Sequence, residues 1–133
     1  MRSFHLEIVT PDGLEFDGQA ESLLVRCDEG DVEILASHAD FIATLGTGRA
    51  RLLLDGSERY ASVSGGFLSV KGGEVRLVAT TFEFAEDIDL DRAVLAKDNA
   101  EAALANPKSE IDERVIKAKL ARALNRINVA GKI

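Results

Sequence analysis

From Phe4 to about Thr81, apolar and polar residues alternate with a two-residue period, in short runs broken by turn-forming residues. Alternation of this kind places one set of side chains on one face of an extended chain, so each run predicts a half-buried strand. The runs are Phe4 to Thr10, Leu14 to Phe16, Ala20 to Cys27, Val32 to Leu35, Arg49 to Leu54, Arg59 to Ser64, Phe67 to Val70 and Val75 to Thr81. Between them sit Pro11-Asp12-Gly13, Asp28-Glu29-Gly30, Asp55-Gly56-Ser57, Gly65-Gly66 and Lys71-Gly72-Gly73. Proline fixes one φ angle and glycine permits a positive one, which is what a tight reversal needs. Many short strands with no helical run between them predict a sandwich or barrel rather than βα units.

The pattern changes near Glu86, since 10 of the 11 glycines precede it and alanine and long charged residues dominate after it. Asp87 and Asp89 are candidate N-caps, because a carboxylate there accepts from backbone N–H groups that have no partner within the helix. The spacing predicts a helix from about Leu90 to Ala105, a break at Asn106-Pro107-Lys108-Ser109, and a second helix capped by Ser109 or Asp112 and reaching about Ile127. Alanines at 93, 96, 100, 103, 118, 121 and 123 are expected to form the seam of this αα-hairpin. Such a seam forfeits about 2 kcal/mol of apolar burial at each position where a leucine could have stood, so the hairpin is expected to depend on what it packs against. The fold class expected is α+β: a β-sandwich over residues 1–86 followed by a two-helix antiparallel hairpin over 87–133.

Length and composition fit this division. At 133 residues, 46% hydrophobic and 29% charged, the chain can bury one core and carry an appendage. Residues 1–86 carry 15 acidic and 7 basic side chains, whereas residues 87–133 carry 8 and 9. The overall charge of -7 argues against nucleic acid as a partner, because phosphate neutralisation calls for a basic surface. Within the tail, Arg114, Lys117, Lys119, Arg122 and Arg126 form an uninterrupted basic run. Lys119, Arg122 and Arg126 recur at three- and four-residue steps and share one side of a helix, a candidate face for an anion or an acidic partner; a solvated helix face is the alternative. The opening segment lacks the apolar stretch of a signal peptide, and nowhere do about 18 apolar residues run together. Any membrane association is therefore expected through partners.

Catalytic chemistry is not apparent. Neither Gly46-Thr47-Gly48 nor Gly65-Gly66 leads into the Gly-Lys-Ser/Thr of a P-loop. His38 in a polar turn is expected to bond its own backbone rather than act as a base. The single cysteine, Cys27, is expected to be buried filler, and with only His5 and His38 beside it no metal-ligand spacing arises.

Three segments carry a family likeness. Phe4-His5-Leu6-Glu7-Ile8-Val9-Thr10-Pro11-Asp12-Gly13 resembles the opening strand and turn of the epsilon subunits of bacterial F-type ATP synthases. Ser64-Gly65-Gly66-Phe67-Leu68-Ser69-Val70 is similar to a stretch in the middle of that family, and Ala85-Glu86-Asp87-Ile88-Asp89-Leu90-Asp91-Arg92-Ala93 to its domain junction. The resemblance implies a flattened β-sandwich followed by two helices, in a non-catalytic subunit of the central stalk that couples proton flow to ATP synthesis. It further implies that the helices inhibit ATP hydrolysis, with docking on the gamma subunit and the membrane rotor c-ring and movement against the alpha and beta subunits. The implied location is the cytoplasmic face of the bacterial membrane, reached peripherally. On this reading His38, Arg114, Lys117 and Lys119 are candidate partner contacts.

Some members of that family bind ATP as a regulatory ligand through Ile/Leu-Asp, two variable residues and Arg-Ala, which Ile88-Asp89-Leu90-Asp91-Arg92-Ala93 matches at every specified position. Carried over, the resemblance implicates Glu83, Ile88, Asp89, Arg92, Ala93, Arg122 and Arg126, and implies no metal. Guanidinium groups pair with phosphate oxygens in a planar, charge-assisted way, and a carboxylate accepts from ribose hydroxyls or the adenine amino group. The chain departs from the pattern at Asn99, where ATP-binding relatives carry another arginine, and at Ala36-Ser37-His38-Ala39-Asp40, where the family has Pro-Gly-His followed by a small residue and proline. The residues taken alone also admit a free-standing small-molecule-binding sandwich with a helical lid, which requires a cleft with converging polar groups within the first 86 residues.

Overall fold

The computed structural model describes residues 2–131. Eight strands come first: β1 (Phe4–Thr10), β2 (Gly13–Ala20), β3 (Ser22–Cys27), β4 (Gly30–Leu35), β5 (Phe41–Thr44), β6 (Gly48–Leu54), β7 (Ser57–Lys71) and β8 (Glu74–Phe84). A single 3-10 turn, Ala85–Asp87, leads into α1 (Leu90–Leu104) and α2 (Glu110–Ala130).

The alternation works as the pattern predicts. In β1, Phe4, Leu6, Ile8 and Thr10 point inward while His5, Glu7 and Val9 remain partly accessible. β7 organises the sheet: its first half pairs with β6, its second half with β5, and β8 runs antiparallel along both. β1 joins the start of β8 in parallel and carries β2, while β6 carries β3 and β4. The ribbon doubles over where β7 changes partner, at Gly65 and Gly66, and its two halves face each other as a sandwich. Leu6, Ile8, Leu68 and Leu77 from one half share a core with Leu23, Val25, Leu52 and Val63 from the other. Each such side chain contributes about 1.5–3 kcal/mol of burial, so the sandwich is the stable part of the molecule.

Four local expectations are corrected. Arg59 to Ser64 and Phe67 to Val70 are one strand, because Gly65 and Gly66 bend β7 without shifting its register on β8. Ala20 to Cys27 is divided at Glu21, whose N–H bonds to the Leu53 carbonyl. Phe41–Thr44 is a strand that four residues of weak alternation did not announce; it is held by β7 and by a bridge from Leu45 to Cys27. Finally, Ala103, Ala118 and Ala121 are exposed, and the hairpin seam is built from Ala93 and Ala100 against Ile116 and Ala123.

Both helix starts are capped by side chains. Asp89 Oδ1 accepts from the Arg92 N–H at 3.1 Å, and Ser109 Oγ accepts from the Asp112 N–H at 3.0 Å while Asp112 Oδ2 accepts from Lys108 N at 2.9 Å. α1 packs on α2, and α2 reaches β6, β7 and the 3-10 turn. No helix among the described residues is long and apolar enough to cross a membrane.

On the outer face of β1, His5 places Nε2 2.5 Å from Asp17 Oδ1 on β2 and Nδ1 2.5 Å from Glu74 Oε2 on β8. Asp17 and then Glu74 raise its pKa above the ordinary 6.5 by favouring the imidazolium. Its stabilising contribution is complete below the unfolded value and is lost as pH rises through the raised folded value. An NMR titration of His5 should therefore show a midpoint above 6.5 that falls back in Asp17→Asn; an unshifted midpoint in the wild type would remove the cross-strand pairing.

Candidate functional site

Where β8 ends, the chain turns through Ala85–Asp87 and enters α1, and the second helix lies back over this junction. Glu83, the penultimate residue of β8, has its carboxylate 2.8 Å from Arg126 Nε on α2. One residue earlier on α2, the Asn125 amide donates from Nδ2 to the Gly48 carbonyl and to Ser62 Oγ, each at 2.9 Å. These contacts tie the end of the hairpin to β6, β7 and β8. Arg59 supports the junction from beneath: its guanidinium carbon lies 3.6 Å from the centre of the Phe84 ring and the group pairs with Glu86. The Glu86 carboxylate is held below its ordinary range, chiefly by its own backbone N–H and then by Arg59.

Two adjoining clefts open above this junction. The smaller, about 110 Å³, is lined by Glu83, Ile88, Asp89, Arg92 and Arg126. The larger, about 360 Å³, runs up between the helices, with Ala96, Asn99, Ala100 and Ala103 on α1 facing Ile116, Lys119, Arg122 and Arg126 on α2. Arg126 borders both, so they form one groove. Six of the residues implicated by the resemblance therefore line a continuous surface. Ala93 is the exception, being buried in the hairpin seam, where a larger side chain would push α1 away from α2.

The groove is chemically divided. Carboxylates of Glu83 and Asp89 stand at the junction end beside Ile88, an arrangement suited to hydroxyl or amino donors and an apolar ring. Arg92, Arg122, Arg126 and Lys119 supply positive charge along the rest, with no carboxylate on the inter-helix walls. Asp89 also caps α1, so one carboxylate both orders the helix and faces the groove. Helical spacing alone could group Lys119, Arg122 and Arg126, but nothing in it shows that α1 closes over them.

The remaining candidates lie elsewhere. His38 sits in the turn between β4 and β5, donating from Nδ1 to the Ala39 carbonyl at 2.6 Å with its ring edge-on to Phe41. Arg114 is exposed, and Lys117 is exposed and paired with Glu113 at 3.2 Å. Neither borders the groove. In the sandwich, a cleft of about 540 Å³ lies between Cys27–Val32 and Phe41–Thr44. Its charged groups are carboxylates, of which Asp31 is bound to Arg26 at 2.5 Å and so held below its ordinary pKa. Cys27 on the same wall is buried, and that burial pushes its thiol pKa up, away from nucleophilic use.

Comparison with known proteins covers residues 3–131 with family models. Residues 3–85 match the family model of the ATP synthase delta/epsilon chain β-sandwich domain, and residues 86–131 match that of the delta/epsilon chain long α-helix domain. The chain is 42% identical to the ATP synthase epsilon chain of Bacillus pumilus over 132 residues, 99% of this chain and 100% of the relative. It is 40% identical to that of Bacillus subtilis, again over 99% of this chain and 100% of the relative. Among solved structures, a chain of the Euglena gracilis mitochondrial ATP synthase superposes with a TM-score of 0.79 at 21% identity, over 92% of this chain and 78% of that one, a likeness of fold. With strands, hairpin and both family models aligned from end to end, the chain belongs to the ATP synthase delta/epsilon family as an epsilon chain of the bacterial type, a non-catalytic subunit of the central stalk.

Proposed function

We propose that this chain regulates ATP hydrolysis by the synthase through its hairpin, and that ATP bound in the groove favours the folded hairpin. One observation carries the reading: Arg126 lines both clefts and is also the residue that ties α2 to Glu83 on the sandwich. A ligand that engages Arg126, Arg122 and Arg92 together can assemble all its contacts only while the hairpin is folded. The residues present fit ATP: an acidic and apolar end for sugar and base, and guanidinium groups for phosphates. When bound, the nucleotide supplies negative charge to a cationic wall; the chain supplies position. By linkage, whatever holds the hairpin folded must tighten ATP by the same factor.

The sandwich, on this reading, docks on the gamma subunit and the c-ring at the cytoplasmic face of the bacterial membrane. Its outward large apolar side chains, Leu14, Leu35, Ile42 and Phe67, support such a role. The hairpin offers Arg114 and Lys117 to acidic surfaces of the alpha and beta subunits when it opens.

The nucleotide site is tested on the intact chain. Millimolar ATP is expected to raise the melting temperature, the shift growing with concentration as RT ln(1 + [L]/Kd), and Arg92→Ala or Arg122→Ala is expected to abolish it. Calorimetry showing no heat and no shift would mean that Asp89 and Arg92 serve only to start α1.

A further inference from the structure

Cations on the hairpin fall into two groups. Lys97 lies 3.5 Å from Glu101, Lys117 3.2 Å from Glu113 and Arg126 2.8 Å from Glu83, whereas Arg92, Lys108, Arg114, Lys119 and Arg122 have no ion-pair partner within 4.0 Å among the described residues. Of these, Lys119 and Arg122 stand together on the α2 wall of the inter-helix cleft. Like charges three residues apart on a helix repel, so leaving both without a carboxylate is a cost that an anion between the helices would remove. Across the cleft, the α1 wall presents Asn99 between small alanines, with no charge of its own.

We propose that Lys119 is a phosphate-binding residue of this groove, supplying from α2 the positive charge that the α1 wall lacks at Asn99. The ligand class is a nucleoside polyphosphate, and the assignment rests on the nucleotide reading of the groove. Lys119 thereby differs from Arg114 and Lys117, which do not line the cleft. An ammonium on a four-carbon stem reaches a phosphate as a point charge rather than as a planar fork, so position matters less than sign. A cation restored on the opposite wall should therefore replace it.

The test is ATP titration calorimetry on the full chain, with Lys119→Gln, Lys119→Arg and the double variant Lys119→Gln/Asn99→Arg. Unchanged melting temperatures without nucleotide establish that each variant is folded, as expected for an exposed side chain. Lys119→Gln should bind ATP about tenfold more weakly, Lys119→Arg close to wild type, and the double variant should recover most of the loss. Wild-type affinity in Lys119→Gln would make Lys119 a solvated residue and leave the rest of the site standing. A loss that Asn99→Arg fails to rescue would equally overturn the phosphate role. If the wild type itself takes up no ATP, the groove is not a nucleotide site and the assignment falls with it.

Discussion

Gly66→Ala is expected to cost more than about 3 kcal/mol and to lower the melting temperature by roughly 10 °C or more. Gly66 has φ +94°, and a Cβ added there would lie 1.9 Å from the Val78 carbonyl oxygen and 2.9 Å from its carbon. The obstacle is backbone of the neighbouring strand, fixed by the β7–β8 ladder, so it cannot rotate aside as a side chain would. Gly72 provides the control: its φ is +57° but nothing lies within 4 Å of a built Cβ, so Gly72→Ala should cost only about 1 kcal/mol. Against a total stability of about 5–15 kcal/mol for a domain of ordinary size, the first substitution threatens folding and the second does not. Thermal unfolding of the two variants side by side decides the matter: equal melting temperatures would show that β7 does not need its close approach to β8 at the fold-over. The same contact gives a physical reason for the Gly-Gly pair in the segment that carries part of the family likeness.

Much of the fold was legible because its signals are local. β1 runs from Phe4 to Thr10 as its alternation requires, and α1 starts at Leu90 behind the Asp89 cap. What escaped depends on contacts between distant residues. β5 has four residues and gains its partners from β7, so no window of sequence reveals it. The outward position of Ala118 and Ala121 depends on the rotation of α2 about its axis, set by Ile116, Ala123 and Asn125 meeting other elements. The groove divides in the same way. Lys119, Arg122 and Arg126 are neighbours by helical spacing, but Glu83 and Arg126 are 43 residues apart and meet only because α2 folds back. Their place in one site came from family resemblance, not periodicity. Asn125 had no sequence signal at all; an amide on a helix reads as surface until Gly48 and Ser62 are seen beneath it.

Asn125 makes the proposed regulation testable without disturbing the cations of the groove. Its two hydrogen bonds contribute about 0.5–1.5 kcal/mol each, and the half-exposed Glu83–Arg126 pair adds about 1 kcal/mol at most. The latch on the sandwich is therefore worth only about 1–4 kcal/mol, and losing about 2 of these changes the ratio of folded to open hairpin roughly thirtyfold. If the open hairpin inhibits, Asn125→Ala in the reconstituted synthase should lower ATP hydrolysis, and by linkage it should weaken ATP binding to the isolated chain. The opposite change comes from locking: Ser62→Cys with Asn125→Cys, joined by a short thiol-bridging reagent, holds α2 where the two side chains now touch. That enzyme should hydrolyse ATP faster than the wild type, and should return to the unbridged variant's rate when a cleavable bridge is removed. Three equal rates, for wild type, unlatched and locked chains, would leave the hairpin with no hold on hydrolysis, whatever the groove binds.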